Sequence, residues 1–206
     1  MCELNNDLDE LGLQGDNPSP RRGGDPAIRR YTLAVLVDNK AGVLSQVARL
    51  FSRKGFNIES LAVGPTDDLN VSRITIEVLS NQDSAQLMCN QLRKMVPVHS
   101  VSLLTDRAIR RELMLIKAAA PNSECRSEIM QIGNIFRAAI IDVSHESLTL
   151  ALIGDEDKID AIINLMKEFG ILELVRTGIV ALERGTDTIY DNTKEKGEFD
   201  YGKNVL

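Results

Sequence analysis

Apolar and polar positions first fall into a regular period at Tyr31, where Tyr31, Leu33, Val35 and Val37 alternate with Thr32, Ala34 and Leu36. That pattern predicts a well-buried strand. A turn over Asp38 to Gly42 follows, and Leu44, Val47, Ala48 and Phe51 then recur at i, i+3, i+4 and i+7, one face of a helix that ends near Gly55. Two further strands are expected, over about residues 56–63 and 71–79. In the latter, Ile74, Ile76 and Val78 alternate with Arg73, Thr75 and Glu77, and the turn-forming string Gly64-Pro65-Thr66-Asp67-Asp68 joins the two into a hairpin. Ala85, Met88, Leu92 and Met95 mark a second helix, and residues 97–104 a closing strand, so the order is βαββαβ.

The polar, basic stretch 106–111, with Arg107, Arg110 and Arg111, reads as a solvated linker between domains. Beyond it the same order recurs. Residues 112–118 predict a strand, and Ile129, Ile132 and Phe136 one helix face. Residues 138–143 and 148–153 form a hairpin around Ser144-His145-Glu146-Ser147, Ile159, Ile162, Ile163 and Met166 mark a last helix, and 171–182 a closing strand. The expected fold class is α+β, two ferredoxin-like βαββαβ modules with helices on one face of each sheet. Each leaves an edge strand and a bare sheet face, which predicts association with another copy or domain.

Composition narrows the function classes. A chain of 206 residues that is 43% hydrophobic and 26% charged is globular in character, and no apolar run approaches the roughly 18 residues of a membrane span. RNA-binding sheets share this topology but stack bases on aromatic rings. Here only 4% of residues are aromatic, Trp is absent, and the third strand offers branched aliphatics, so nucleic acid is not an expected partner. The net charge of -6 sits at the ends, because the first 27 residues hold six acids against Arg21 and Arg22, while residues 28–184 are balanced. The acidic start lacks the features of a secretory or transit peptide and reads as a disordered arm. Cys2, Cys89 and Cys125 are odd in number and form no CxxC pair, so free thiols are expected, with neither a disulfide framework nor a zinc site. A cytoplasmic location is expected, with the plastid stroma left open.

The two histidines, His99 and His145, stand apart and in no metal-binding spacing, and no phosphate-binding Gly-Lys signature is present. Ser144-His145-Glu146 reads as a turn, since neighbours in a hairpin cannot converge as nucleophile, base and orienter. No catalytic and no metal-binding residue is expected. The informative segment is Asp38-Asn39-Lys40-Ala41-Gly42-Val43-Leu44, a strand end turning through glycine into a helix start. Unpaired amides there, near Val43 and Leu44, suit a small carboxylate. Asn39 suits the same ligand's ammonium or carboxylate, and Gly42 permits close approach of the backbone. An amino acid fits that description; from spacing alone, so does a plain turn and cap.

Taken together, Asn39-x-x-Gly42-x-Leu44-x-x-Val47-x-x-Leu50-Phe51-x-x-Lys54-Gly55-Phe56-Asn57-Ile58-x-Ser60-Leu61, with Pro65-Thr66-Asp67-Asp68 and Ser72-Arg73, resembles the ACT domain of the small, regulatory subunit of acetolactate (acetohydroxyacid) synthase. The resemblance continues through Arg111-Glu112-Leu113-Met114-Leu115-Ile116-Lys117, Phe136-Arg137-Ala138, Ile141-Asp142-Val143 and Arg176-Thr177-Gly178 to Arg184-Gly185. It implies an N-terminal ACT domain over 29–106 and a C-terminal ACT-like domain over 107–185, flanked by the arm 1–28 and a polar tail 186–206. It further implies a non-catalytic subunit that binds the catalytic (large) subunit of a transferase, activates it, and confers feedback inhibition by valine or a related branched-chain amino acid. Thiamine diphosphate, Mg and FAD would sit on that partner, and no cofactor on this chain. ACT domains of the family pair into a homodimer, so Asn39, Gly42, Val43 and Leu44 would hold the polar end of the effector, with Asn57 and Ile58 supplied by the other protomer. The second module, which runs through Ala118-Ala119-Ala120-Pro121-Asn122-Ser123, lacks the loop, and Asn122 or Ser123 is expected to cap a helix. A stand-alone double-ACT amino-acid sensor or gene regulator is the alternative, distinguished by the absence of a synthase partner.

Overall fold

The computed structural model describes residues 28–192. These divide into two compact units, residues 28–109 with 181–192, and residues 110–180. The first contains β1 (Arg29–Asp38), α1 (Val43–Arg53), β2 (Ser60–Pro65), β3 (Val71–Ser80), α2 (Gln82–Leu92) and β4 (Val98–Leu103), and its sheet runs β2-β3-β1-β4, antiparallel throughout. Val47, Leu50 and Phe51 of α1 and Ala85, Met88 and Leu92 of α2 close over Leu33, Val35, Ile74 and Ile76 on one face. Deep burial of these side chains is the main favourable term in holding the unit together.

The opposite face is sealed as well: Thr32, Ala34, Leu36, Thr75 and Ser100 are all buried. Gly64, Arg73, Leu36 and Ser100 lie side by side in register across the four strands. The Arg73 guanidinium donates to the Ala181 carbonyl (2.6 Å) and the Ser100 hydroxyl to the Ile189 carbonyl (2.7 Å), so the returning segment 181–192 crosses this rung. Its 3-10 turn, Ile189–Asn192, packs on β1 and β4 with Ile189 buried.

The second unit repeats the order with β5 (Ile109–Ala119), α3 (Ser123–Phe136), β6 (Ala139–Val143), β7 (Ser147–Gly154), α4 (Glu156–Met166) and β8 (Ile171–Arg176), sheet order β6-β7-β5-β8. Asn122 caps α3, its side-chain oxygen accepting from the Cys125 amide at 2.8 Å. Mid-helix Gly133 is needed for packing: a Cβ there would stand 2.8 Å from the Leu150 side chain, which is wholly buried. Glu112, nearly buried on β5, accepts a two-pronged contact from Arg176 of β8, which also reaches Asp160 of α4 at 2.9 Å. The hydrogen bond to Glu112 raises the Arg176 pKa, so this cation stays charged.

Several boundaries differ from expectation for local reasons. β2 begins at Ser60 rather than near Phe56, because Gly55 takes φ 73° and the Phe56 amide turns back to the Phe51 carbonyl (3.1 Å), finishing the helix before pairing begins. The expected closing strand 171–182 is broken at Gly178 (φ 77°) into β8 and a short β9 (Val180–Leu182). Arg110 and Arg111 belong to β5 instead of a linker. The segment from Ala181 groups with the first unit, so residues 186–192 are no free tail, whereas 193–206 and the acidic arm lie outside the described residues. Ser144 to Ser147 form the expected turn, the Ser147 amide donating to the Ser144 hydroxyl at 3.0 Å. Cys89 is a buried free thiol whose pKa burial pushes up to about 11. Cys125 is buried in the first turn of α3, and Cys2 lies outside the described residues.

Replacing one member of a nearly buried ion pair strands the other. Arg176→Met should therefore lower stability by roughly 3 kcal/mol by chemical denaturation, whereas Lys117→Met, which loses only an exposed contact to Glu173 (3.2 Å), should cost less than about 1 kcal/mol.

Candidate functional site

Residues 39–42 form the turn between β1 and α1. Gly42 is the residue before the helix and takes φ 84°, a left-handed conformation that a side chain would strain. Being glycine, it supplies no capping side chain, and the first turn of α1 holds no acid. The positive end of this helix is thus left without a counter-charge from its own sequence. The Val43 amide donates to the Lys40 carbonyl at 3.3 Å, and the first intrahelical bond runs from Gln46 to Gly42 at 3.1 Å. Between them, the amides of Leu44 and Ser45 have no acceptor among the described residues.

Asn39 is fixed from two directions: its backbone amide donates to the Asn70 carbonyl (2.7 Å) and its side-chain amide to the Leu69 carbonyl (2.8 Å). Both carbonyls belong to the turn between β2 and β3. With its N–H committed, the Asn39 side chain keeps its oxygen, an acceptor suited to an ammonium group. Asp38 anchors the end of β1. Its carboxylate meets the Lys40 ammonium at 3.0 Å and the His99 Nε2 at 2.7 Å, and the Lys40 contact foremost, with His99 adding to it, holds its pKa below the usual 3.8 against the opposing effect of burial.

Of the expected site residues, Asn39, Gly42, Val43 and Leu44 come together at this helix start, but Val43 contributes core packing and its amide is already engaged. Ser45 is the residue that the sequence reading did not single out, although the rule that the opening amides of a helix lack internal partners points to it. Asn57 and Ile58 are elsewhere. Ser60 pairs with Glu77, which pairs with Thr32, six residues back along β1 from Asp38, about 20 Å away at 3.3 Å per residue. Asn57 therefore sits at the opposite end of the sheet, its side chain donating to Glu59 at 2.7 Å, and Ile58 packs against the edge of the core. A single chain does not join the two halves. Among the described residues no group of three or more His, Cys, Asp or Glu is placed to hold a metal ion, and no helix is long and apolar enough to cross a membrane.

An ACT domain of the acetohydroxyacid synthase small-subunit type matches residues 33–100, and the description "Small subunit of acetolactate synthase" matches residues 111–185. The acetolactate synthase small subunit of Aquifex aeolicus is 42% identical over 180 residues, covering 85% of this chain and 94% of the relative. The chain belongs to the acetolactate synthase small-subunit family. The small subunit of Haemophilus influenzae is 43% identical over 162 residues, 78% of this chain and 99% of its own. The crystal structure of the Thermotoga maritima small subunit superposes with a TM-score of 0.73 at 37% identity, covering 77% of this chain and 99% of that one. Members of this family are the regulatory, non-catalytic component, and the ACT assignment of the first unit agrees with its βαββαβ sheet.

Asp38 has a lowered pKa in the folded chain, so its contribution to stability is present above its unfolded value near 3.8 and is lost as pH falls through the folded value. Asp38→Asn should accordingly melt below the unmodified protein at pH 7, with the gap narrowing as pH falls below 3.8; thermal denaturation over a series of pH values measures it.

Proposed function

We propose that the chain binds the catalytic subunit of acetolactate synthase, raises its turnover in branched-chain amino acid biosynthesis, and makes it sensitive to valine or a related amino acid. Thiamine diphosphate, Mg and FAD belong to that catalytic partner, which performs the transfer; this chain supplies the regulatory site. The observation that carries the effector reading is the start of α1, where two amides have no acceptor among the described residues and the first turn holds no acid, with Asn39 fixed in the turn that leads into it. The amides suit the carboxylate of an amino acid and the Asn39 oxygen its ammonium.

The second half of the site comes from a second copy. β2 is an edge strand of six residues, and its Leu61 and Val63 are exposed. An open apolar edge favours pairing. Antiparallel pairing of two such edges about a two-fold axis sets the start of one β2 beside the end of the other, the end nearer Asn39. The partner's Asn57 and the partner's Ile58 then approach the start of α1, Ile58 offering the apolar side chain a wall. Discrimination by one methylene amounts to only about 1–3 kcal/mol, so selectivity among valine, leucine and isoleucine is modest. An effector seated between two protomers favours whichever dimer geometry best closes on it, and through that preference alters the catalytic partner.

The test is reconstitution of the chain with its catalytic subunit. Added chain should raise turnover, and L-valine should lower it again. Asn39→Ala should raise the valine concentration for half-inhibition about tenfold or more, the cost of a lost hydrogen bond to a charged group. No stimulation by the unmodified chain would overturn the subunit reading; an unchanged valine titration for Asn39→Ala would overturn the site.

A further inference from the structure

The returning segment does more than cover a sheet face. From Ile189, whose carbonyl is held by Ser100 at 2.7 Å, the next residue, Tyr190, extends its hydroxyl to the Asp67 carboxylate at 3.3 Å. Asp67 belongs to the turn 66–70, and that turn is internally braced. The Thr66 hydroxyl donates to the Asp68 carbonyl (3.1 Å), the Asp68 carboxylate accepts from the Asn70 amide (2.9 Å), and the Thr66 amide donates to the Val71 carbonyl (2.9 Å). A turn so bonded moves as one piece. Its far side, the carbonyls of Leu69 and Asn70, is what fixes Asn39.

A continuous set of contacts thus runs from Tyr190 through Asp67 and the braced turn to Asn39. The segment has further anchors. Arg73 holds Ala181, Glu183 accepts from the amide and hydroxyl of Thr105, Arg184 donates to the Arg107 carbonyl at 2.9 Å, and Asp191 closes its own turn on Thr188 (2.9 Å). With Ile189 buried, Tyr190 is presented from a fixed base, so its hydroxyl can bear on the turn rather than follow it. Residues 186–192 lie beyond the family-model match, which ends at 185.

We propose that Tyr190 is a positioning residue for the effector site: through Asp67 it holds the turn that orients Asn39, and it thereby sets how much effector is needed to act. This rests on the reading that Asn39 and the start of α1 receive the amino acid. Tyr190 touches no effector atom; it acts through another side chain.

The experiment titrates L-valine against the reconstituted holoenzyme. Tyr190→Phe, which removes one oxygen and keeps the ring, should shift the half-inhibiting valine concentration about threefold to tenfold, the span usual for changes along a coupled network. Turnover without valine should stay unchanged. Asp67→Ala should give the same shift, the double variant no more than either alone, and Asp67→Asn, which keeps an oxygen to accept the tyrosine proton, should respond as the unmodified chain does. A merely structural role for Tyr190 predicts additive effects and no rescue by Asp67→Asn. If Asn39→Ala abolishes the valine response while Tyr190→Phe and Asp67→Ala leave it unchanged, the proposal falls and the site stands. If all three titrate as the unmodified chain does, the site reading falls and this proposal with it.

Discussion

Seven consecutive residues of β1, Tyr31 to Val37, are buried, and a strand in that condition has to be covered on both sides. Each face of the first unit meets the requirement differently. On one, α1 and α2 supply the apolar stripe; on the other, the chain returns after the whole second unit to lay 181–192 across Arg73, Leu36 and Ser100. The position of α1 follows from the first solution. A helix that must pack on β1 and follow it after a four-residue turn has its first amides at the strand's end, beside the turn that joins β2 to β3. The second solution brings Tyr190 to that same turn.

The electrostatics of the site follow from what the local sequence omits. Helix starts ordinarily recruit a serine, threonine or carboxylate to answer their free amides, as Asn81, Asn122 and Asp155 do for α2, α3 and α4. At α1 the corresponding position is glycine, and the nearest acid, Asp38, is already engaged by Lys40 and His99. Among the described residues, three of the four α-helices have a side-chain cap and one does not, which is the reason for reading that one as suited to an outside carboxylate. The glycine is required by its left-handed φ of 84°.

Much of the fold was open to reading from periodicity, because Ile74, Ile76 and Val78 of β3 and Ile159, Ile162 and Met166 of α4 each repeat on one core-facing side; in α1 the buried face is Val43, Val47, Leu50 and Phe51, and Leu44, which the spacing counted in, is exposed. The family pattern likewise runs through Gly42 and Gly55, where backbone geometry restricts the choice of residue. What escaped depends on partners distant in sequence. The pairing of Arg73 with Ala181 spans 108 positions, and nothing in the polar residues after Gly185 signals that Ile189 is buried. The site was legible in part. Asn39 and Gly42 stand out as turn residues, yet only the structure shows that Val43's amide is spent on Lys40, that Ser45's has no acceptor among the described residues, and that Asn57 lies a sheet's length away.

The return of the chain also bears on the order of assembly during synthesis. Residues 110–180 form their own unit, and the contacts of Ser100 with Ile189 and of Asp67 with Tyr190 span 89 and 123 positions. On the ribosome the six principal elements of the first unit emerge early and can pair at once, but one face of their sheet stays wet until the intervening unit and the residues after it have been made. Closing so long a loop comes late in folding. A chain stopped short of residue 189 would hold a finished second unit and a first one still open on one face of its sheet.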